Sequence, residues 1–274
     1  MKVVRTREEF LAARGALRAP VGLVPTMGAL HAGHAALLGA ARQECASVVT
    51  TNFVNPLQFG AGEDLERYPR TLDADVALCE QLGVDLVWAP AVEDVYPAGS
   101  TQVRVEPGPL GTILDGVSRP GHFGGMLTVV AKFLNLVRPD RAYFGEKDYQ
   151  QLALIRLMND DLDMGAAIIG VETVREDDGL ALSSRNVYLS AEDRKHALAL
   201  SQALFAGRDA AGDGADAVVA AAEQRLAAEP GIDVDYLALR GADLGAPPQH
   251  GPARLLVAAK VGSTRLIDNV GLVL

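Results

Sequence analysis

Short apolar runs alternate with stretches of helical periodicity along most of this sequence. Strand-length runs cover 22–25, 47–54, 85–89, 141–144 and 167–174. Between them, apolar residues recur at helical spacing over about 72–82 and at Leu127, Val130, Leu134 and Val137, where Pro139 ends the pattern. This alternation is typical of βαβ units, in which crossover helices join parallel strands. The sequence therefore predicts an α/β fold with a doubly wound parallel sheet.

The pattern changes after Val174. A polar, charged connection leads to Ser190, which has Asp193 three residues on and so predicts a helix start. Two alanine-rich helices are predicted at roughly 191–208 and 215–228, followed by apolar runs at 234–239, 255–261 and 266–270. We expect a boundary between Val174 and Ser190, which gives a domain over 1–178 and a smaller C-terminal α+β domain over 179–274.

Composition and charge exclude several classes of protein. Hydrophobic residues make up 49% of the 274 residues and the formal net charge is −10. That charge repels nucleic acid, which is bound mainly through Lys and Arg, so no nucleic-acid partner is expected. No stretch resembles a signal peptide or a membrane span, so a cytoplasmic location without membrane contact is predicted. Cys45 and Cys79 have no metal-ligand spacing and are predicted to be buried thiols.

Polar side chains follow several of the predicted strands. In an open parallel sheet, ligands bind beyond the carboxyl ends of the strands. The polar residues expected at that edge come from four different loops, and their convergence is the strongest signal in the sequence. They are His31, His34, Asn55, Gln58, Lys147, Asp148, Ser183, Ser184 and Arg185.

His31 and His34 stand where an apolar run gives way to a helical stretch. If that helix begins near Leu30 or His31, both histidines lie on its first turn, beside unpaired backbone N–H groups and the positive end of the helix dipole. Gly28 and Gly33 would let a phosphate approach the backbone closely. The pair therefore predicts an anion site, with a capping role, a surface role or metal ligation as the alternatives.

The common phosphate-binding fingerprints GxxxxGK[ST] and GxGxxG are absent. Instead, six stretches occur in order over the first 190 residues: PTMGALHAGH, FVNPLQF, YPR, RPGHF, RPDRAYFGEKDYQQ and VREDDGLALSSRNVYLS. With them the chain resembles the HxGH nucleotidyl-transferring superfamily, and within it the pantoate–β-alanine ligase (pantothenate synthetase) family. The resemblance implies a Rossmann-like first domain.

The resemblance also implies an activity. Members of the family condense (R)-pantoate with β-alanine, using ATP, through a bound pantoyl adenylate, and release pyrophosphate and then AMP. It assigns His34 as the proton donor, with His31 and Lys147 as further catalytic residues. The residues it places on ATP are Met27, Gly28, Ala29, Leu30, His31, Ala32, Gly33, His34, Gly145, Glu146, Lys147, Asp148, Val174, Leu182, Ser183, Ser184 and Arg185.

The same resemblance places Gln58 and Gln151 on pantoate, with Gln58 also on β-alanine. Amide side chains suit this role because they both donate and accept hydrogen bonds. Mg²⁺ is expected with the triphosphate, held mostly by phosphate oxygens and water, with Asp75 as the candidate protein ligand. Arg119 and His122 could add positive charge, but their roles stay open. A homodimer, with the smaller domain closing over the site, is also implied.

Three other functions are weighed against this one. A nucleotidylyltransferase of cofactor biosynthesis would share the histidines, but NPLQF, GEKDYQQ and the second domain disfavour it. A non-catalytic adenine-nucleotide-binding module would bind ATP without forming pyrophosphate. An aminoacyl-tRNA synthetase is disfavoured because the chain has no basic region for tRNA.

Overall fold

A computed structural model describes all residues from Met1 to Leu274. It contains nine strands and nine α-helices. The strands are β1 (Lys2–Val4), β2 (Val21–Thr26), β3 (Ser47–Asn52), β4 (Leu86–Trp88), β5 (Arg141–Gly145), β6 (Ala167–Val171), β7 (Ile232–Gly241), β8 (Pro252–Val261) and β9 (Thr264–Val273). The helices are α1 (Arg7–Arg14), α2 (Ala32–Glu44), α3 (Leu72–Gln81), α4 (Val92–Val95), α5 (Asp115–Ser118), α6 (His122–Val137), α7 (Tyr149–Asp161), α8 (Ala191–Asp209) and α9 (Ala215–Ala227).

Six strands form one parallel sheet in the order β1-β4-β3-β2-β5-β6. The predicted α/β fold with a doubly wound parallel sheet is confirmed. The chain runs outward from β2 through β3 to β4, then returns to the other side of β2 for β5 and β6. The direction of winding therefore reverses between β2 and β5, and the carboxyl edge at such a reversal is where this class of sheet forms a ligand crevice.

Apolar side chains cover both faces of this sheet. On one side α2 packs Leu37, Leu38 and Ala41 against Val24 and Val48. The aromatic rings of Phe10, Trp88 and Phe133 pack together, with Phe10 stacked on Trp88 at 4.4 Å between centroids and Phe133 edge-on at 5.6 Å. Because both faces are buried, the strands read as continuous apolar runs, which is why the sequence located them.

The sequence did not predict β1. This strand has three residues and adds to the sheet edge by pairing Lys2 with Leu86 and Val4 with Trp88. Two of its three residues are exposed, so it has no apolar run to reveal it. The pairing with β4, more than eighty positions away, is what makes the segment a strand.

The second sheet is antiparallel, with three strands in the order β7-β8-β9. Helices α8 and α9 pack on it, and their buried residues include Leu204 and Val218, both fully buried beside Leu255 and Val257 of β8. The predicted smaller α+β domain is therefore present. Its strands extend beyond the predicted apolar runs, because several of their terminal residues are polar or exposed to solvent.

The chain divides into two compact units that are discontinuous in sequence. The first comprises Met1–Glu146 and Leu154–Glu172, and the second comprises Lys147–Ala153 and Thr173–Leu274. No helix combines the length and the hydropathy needed to cross a membrane. Both cysteines are buried and reduced, as predicted, and burial together with the nearby Asp75 raises the pKa of the Cys79 thiol to about 11.

Candidate active site

The loop between β2 and α2 carries the residues that the sequence placed at the sheet edge. Gly28 adopts φ +85°, a left-handed conformation that glycine takes without strain. A Cβ at this position would lie 2.5 Å from Asn52 Oδ1, so a side chain would also clash. Ala29 follows with φ 51°, which an L-residue adopts only when its surroundings hold it there.

Asp75 of α3 holds this loop. Its side chain accepts hydrogen bonds from the backbone N–H groups of Ala29 (3.1 Å) and Leu30 (2.8 Å). It also accepts from Asn52 Nδ2 at 2.8 Å and Thr71 Oγ1 at 3.1 Å. Asp75 is only 3% exposed. Four donors therefore converge on one buried carboxylate, which fixes two consecutive amides of the loop.

This contact set differs from the metal-ligand role expected for Asp75. A carboxylate offers about four lone-pair sites, and four donors occupy those of Asp75. No group of three or more His, Cys, Asp or Glu side chains is arranged to hold a metal ion. The carboxylate is thus committed to shaping the loop, and its four hydrogen bonds do not support the metal-ligand role expected for Asp75.

His31 and His34 lie at the start of α2, which begins at Ala32, one or two residues later than expected. His31 is the N-cap, and its Nδ1 accepts from Gly33 N at 3.1 Å. The Nδ1 atom of His34 accepts from His31 N at 3.3 Å, and the two ring centroids are 4.2 Å apart. The Nδ1 atoms of both histidines therefore cap the start of the helix, which is the capping role given above as an alternative for this pair.

Capping determines which ring nitrogen carries the proton. A ring nitrogen that accepts a hydrogen bond is unprotonated, so the proton of each neutral imidazole is on Nε2. Both rings thus present an Nε2–H donor while their Nδ1 atoms hold the backbone. The positive end of the α2 dipole lies behind the same donors. An arrangement of this kind stabilises negative charge without needing a charged imidazole.

Gln58 ends a short 3₁₀ helix, Pro56–Gln58, that follows β3. Asn55 is buried and donates from Nδ2 to Gln58 Oε1 at 3.0 Å and to Gly125 O at 3.1 Å. The hydroxyl of Tyr96 donates to Asn55 Oδ1 at 2.8 Å. These contacts fix the orientation of both amides, because Asn55 Oδ1 accepts from Tyr96 and Gln58 Oε1 accepts from Asn55. Its Nε2 is then directed to Met27 Sδ, 3.4 Å away, on the loop that precedes the histidines.

Arg119 and His122 also act on Gln58. Arg119 Nη1 lies 3.0 Å from His122 Nε2, and because a guanidinium only donates, that nitrogen is the acceptor. The proton of His122 is therefore on Nδ1, which donates to Gln58 O at 2.8 Å. Burial, and next the Arg119 charge, lower the pKa of His122 to about 4, which agrees with a neutral ring.

The Arg119 guanidinium is itself paired. It donates to both carboxylate oxygens of Glu63, from Nε at 2.8 Å and from Nη2 at 2.7 Å. Hydrogen bonds from Arg119 hold the pKa of Glu63 below its usual range. Both side chains are therefore engaged within the protein, and we interpret Arg119 and His122 as residues that support Gln58.

Gly145 and Glu146 lie at the end of the first stretch of the first unit, and the predicted residues that follow them belong to the second unit. Lys147 and Asp148 are in the 3₁₀ helix Glu146–Asp148 that follows Gly145, with Lys147 Nζ 3.8 Å from Asp148 Oδ2. The side chain of Lys147 is 18% exposed and that of Asp148 is 48% exposed. Gln151 lies half-buried on the first turn of α7. Adding a Cβ to Gly145 would meet no atom within 4 Å.

Ser183, Ser184 and Arg185 start another 3₁₀ helix, Ser184–Tyr188, whose N-cap is Ser183. The hydroxyl of Ser183 accepts from Arg185 N at 3.2 Å. The loop before it is closed by Leu182 N donating to Val174 O at 3.0 Å. Glu176, within that loop, accepts from Arg194 Nη2 and Asn186 Nδ2. The segment is thus built as an ordered loop rather than an extended linker.

The predicted residues are divided between the two units. His31, His34 and Gln58 share the loops after β2 and β3 in the first unit. Lys147, Gln151 and the 183–185 segment belong to the second unit. Sequence reasoning missed the residues that support them: Asn52, Glu63, Thr71 and Tyr96. Only Asn52 carried a signal, as a polar residue near the end of the strand predicted over 47–54.

Comparison with known proteins adds independent findings. A family model described as pantoate-beta-alanine ligase matches residues 2–271. Pantothenate synthetase from Nocardioides sp. is 57% identical over 99% of this chain and 85% of its own length, and that from Nocardia farcinica is 61% identical over 93% and 80%.

Solved structures give the same result. A pantothenate synthetase from Thermus thermophilus superposes with a TM-score of 0.93 at 51% identity, over 98% of this chain and 99% of that one. A pantoate-beta-alanine ligase from Francisella tularensis, solved with beta-gamma ATP and beta-alanine, gives a TM-score of 0.83 at 35% identity, over 98% and 97%.

Proposed function

Since the chain belongs to the pantoate-beta-alanine ligase family, we propose that it condenses (R)-pantoate with β-alanine by way of a pantoyl adenylate. One observation carries this most directly: the imidazoles of His31 and His34 at the start of α2 accept backbone N–H groups at Nδ1, which puts the proton of each ring on Nε2. The family match spans nearly the whole chain, which favours a ligase over a nucleotidylyltransferase or a simple nucleotide-binding module.

In the first step, a pantoate carboxylate oxygen attacks the α-phosphorus of ATP. A phosphorus–oxygen bond forms as the bond to the bridging oxygen breaks, and pyrophosphate leaves. Negative charge accumulates on the phosphoryl oxygens, and fixed donors lower the barrier to that charge. His34 and His31 supply Nε2–H hydrogen-bond donors of this kind, and the proton-donor role that the resemblance gives His34 is in this step that of a hydrogen-bond donor which keeps its proton.

In the second step, the amine of β-alanine attacks the acyl carbon of the adenylate. The carbon–nitrogen bond forms, the bond to the AMP oxygen breaks and the nitrogen passes its proton to water. Gln58 is suited to hold the small acid, because Asn55 fixes the orientation of its amide. Gln151 is the second amide that we assign to pantoate.

The loops that follow β5 and β6 are assigned to ATP. Lys147 supplies a mobile point charge and Arg185 a planar guanidinium, two different ways of meeting phosphate oxygens. Ser183 and Ser184 add hydroxyls, while the Met27–His34 segment, Gly145, Glu146, Asp148, Val174 and Leu182 complete the set that the resemblance assigns. Gly28 and Gly33 keep the loop between β2 and α2 accessible to a phosphate.

Mg²⁺ is proposed to enter as part of the MgATP substrate. It prefers oxygen ligands, keeps several waters and is bound largely through substrate phosphates in such sites. Asp75 is fully engaged by four donors, so no protein ligand is assigned to the metal. A homodimer and a cytoplasmic location are retained as proposals from the resemblance, and light scattering of the purified protein would test the first.

The test separates the two half-reactions. With pantoate, MgATP and labelled pyrophosphate but no β-alanine, label should enter ATP, because adenylate formation is reversible while the adenylate stays shielded from water. Oxygen-18 in the pantoate carboxylate should then appear in AMP once β-alanine is added. Exchange that requires β-alanine, or label that stays wholly in pantothenate, would contradict a separate adenylation step.

A further inference from the structure

Strand β9 contains two adjacent polar residues that are almost completely buried. Asp268 is 4% exposed and Asn269 is 3% exposed. A buried carboxylate or amide destabilises a fold unless its polar atoms are paired. The hydrogen-bond partners of Asp268 and Asn269 therefore show which parts of the second unit these two side chains hold in place.

Asn269 contacts the segment that carries Lys147. Its Nδ2 donates to the backbone carbonyl of Lys147 at 2.8 Å, and its Oδ1 accepts from Arg254 Nη1 at 2.9 Å. Because a guanidinium only donates, the Arg254 contact fixes which way the amide points. The hydrogen bond to Lys147 is consequently defined in direction as well as in distance.

The residues after Lys147 are held by the same sheet. The guanidinium of Arg254 lies over the ring of Tyr149, 3.9 Å from its centroid. The hydroxyl of Tyr149 donates to Ala242 O at 2.8 Å, just beyond the end of β7. These contacts explain why the seven residues Lys147–Ala153 belong to the second unit, although their neighbours in sequence belong to the first.

Asp268 contacts the other loop. Arg175 donates to both of its carboxylate oxygens, from Nη1 at 2.6 Å and from Nη2 at 2.9 Å. The same guanidinium reaches Gly179 O at 3.1 Å and Asn269 O at 3.3 Å. Arg175 begins the loop that leads to Ser183–Arg185, so Asp268 holds that loop at its start.

We propose that Asp268 and Asn269 are positioning residues for ATP, each acting through one of the two loops assigned to its phosphates. Asn269 acts through the Lys147 backbone and Asp268 through Arg175. The inference rests on the proposed function, because it gives these loops a consequence only if they bind ATP. It gives the C-terminal sheet a part in positioning ATP, although the sequence contains no recognisable motif there.

The experiment measures steady-state kinetics of pantothenate formation in the full chain. Asn269→Ala should lower kcat/KM for ATP about tenfold, since small displacements of a substrate-binding group have effects of this size or larger. Asp268→Asn should act in the same direction. KM for pantoate should stay within about twofold of wild type, because the lost interaction concerns ATP alone.

A matched control is available on the same sheet. Asp235 of β7 pairs with Arg265 near the start of β9, at 2.6 Å, so this ion pair joins two strands of the sheet. Asp235→Asn should leave kcat/KM for ATP unchanged. A general weakening of the sheet would instead lower the melting temperature and affect all three substrates alike, which would overturn the proposal.

The Lys147→Ala background identifies the route of the effect. If Asn269 acts through Lys147, the double variant should lose little more than Lys147→Ala alone, whereas independent effects would multiply. Multiplying effects, or a wild-type kcat/KM for ATP in Asn269→Ala, would overturn the inference while the proposed function stands. If Lys147→Ala and Arg185→Ala are themselves without effect, the assignment of the loops to ATP fails first. Should Asp268→Asn not fold, Asn269→Ala removes no charge and still decides the outcome.

Discussion

Single side chains hold the backbone of the loop between β2 and α2. Asp75 binds the N–H groups of Ala29 and Leu30, and the histidines turn Nδ1 toward residues 31 and 33. A loop with two consecutive left-handed residues needs such support, because the conformation of Ala29 is strained on its own. The carboxylate of Asp75 and the Nδ1 atoms of the two histidines are therefore the side-chain atoms that shape this loop.

His34→Ala should slow adenylation by about 10²–10³, the usual effect of removing one donor to a developing negative charge. The affinity for ATP should change less, because the donor matters most in the transition state. Single-turnover measurement of AMP formation checks this. His250→Ala is the control, since His250 is exposed and outside both groups of site residues. A near-normal adenylation rate in His34→Ala would remove His34 from the mechanism.

Asp75→Asn should destabilise the fold by about 1–3 kcal/mol, because an NH₂ group then faces backbone donors. It should also lower kcat/KM for ATP, while the Mg²⁺ concentration that gives half-maximal rate stays at the wild-type value. Asp73→Asn, an exposed carboxylate on the same helix, should change none of these. A raised Mg²⁺ requirement in Asp75→Asn alone would restore the metal-ligand role.

Elements meet at Gln58, where the turn after β3 packs on the start of α6. The backbone approach is close, since a Cβ on Gly125 would lie 1.9 Å from Leu57 O. His122, the first residue of α6, bridges Arg119 to the carbonyl of Gln58, and Asn55 bridges Tyr96 to its side chain. Gln58, which we propose binds pantoate, is thus held at both its main chain and its side chain.

The pKa of His122, lowered to about 4 from an ordinary 6.5, makes stability depend on pH. Between these values the unfolded chain binds a proton that the folded chain does not, so stability falls as pH falls, by up to about 1.4 kcal/mol per unit. Above pH 6.5 the contribution is fully present. Urea unfolding at a series of pH values should show a shallower slope for His122→Asn, while exposed His250→Asn keeps the wild-type slope.

The sequence predicted elements and their ends better than the contacts that organise the site. Buried strands and the caps at His31 and Ser190 have local signals, and all were located to within a few residues. Tyr96, Asp268 and Asn269 act on residues 41 to 122 positions away in sequence, and such contacts leave no pattern at their own position. The sequence therefore predicted which loops form the candidate site, but not the side-chain contacts that hold those loops in place.

At the scale of the whole molecule, the chain passes between its two units after residues 146, 153 and 172. The short segment Lys147–Ala153 belongs to the second unit although it is embedded in the sequence of the first. The domain limits of 1–178 and 179–274 remain a proposal about function. The two compact units instead place Arg175 in the same unit as Asp268, its ion-pair partner.

A substitution in the full chain tests this arrangement. Arg175→Met should lower the stability to urea, because it leaves buried Asp268 without its ion-pair partner. An uncompensated buried charge destabilises by about 3–5 kcal/mol. Adding Asp268→Asn should restore neutrality and recover much of the loss. Wild-type stability in Arg175→Met would contradict a structural role for the ion pair.

Gly28 has a consequence for how this protein can change over generations. Every other amino acid carries a Cβ, and a Cβ here would lie 2.5 Å from Asn52 Oδ1 on a backbone with φ +85°. Missense changes in this codon are therefore expected to be purged by selection. An inhibitor that binds the main chain at this point would contact a position at which resistance has no viable route by substitution.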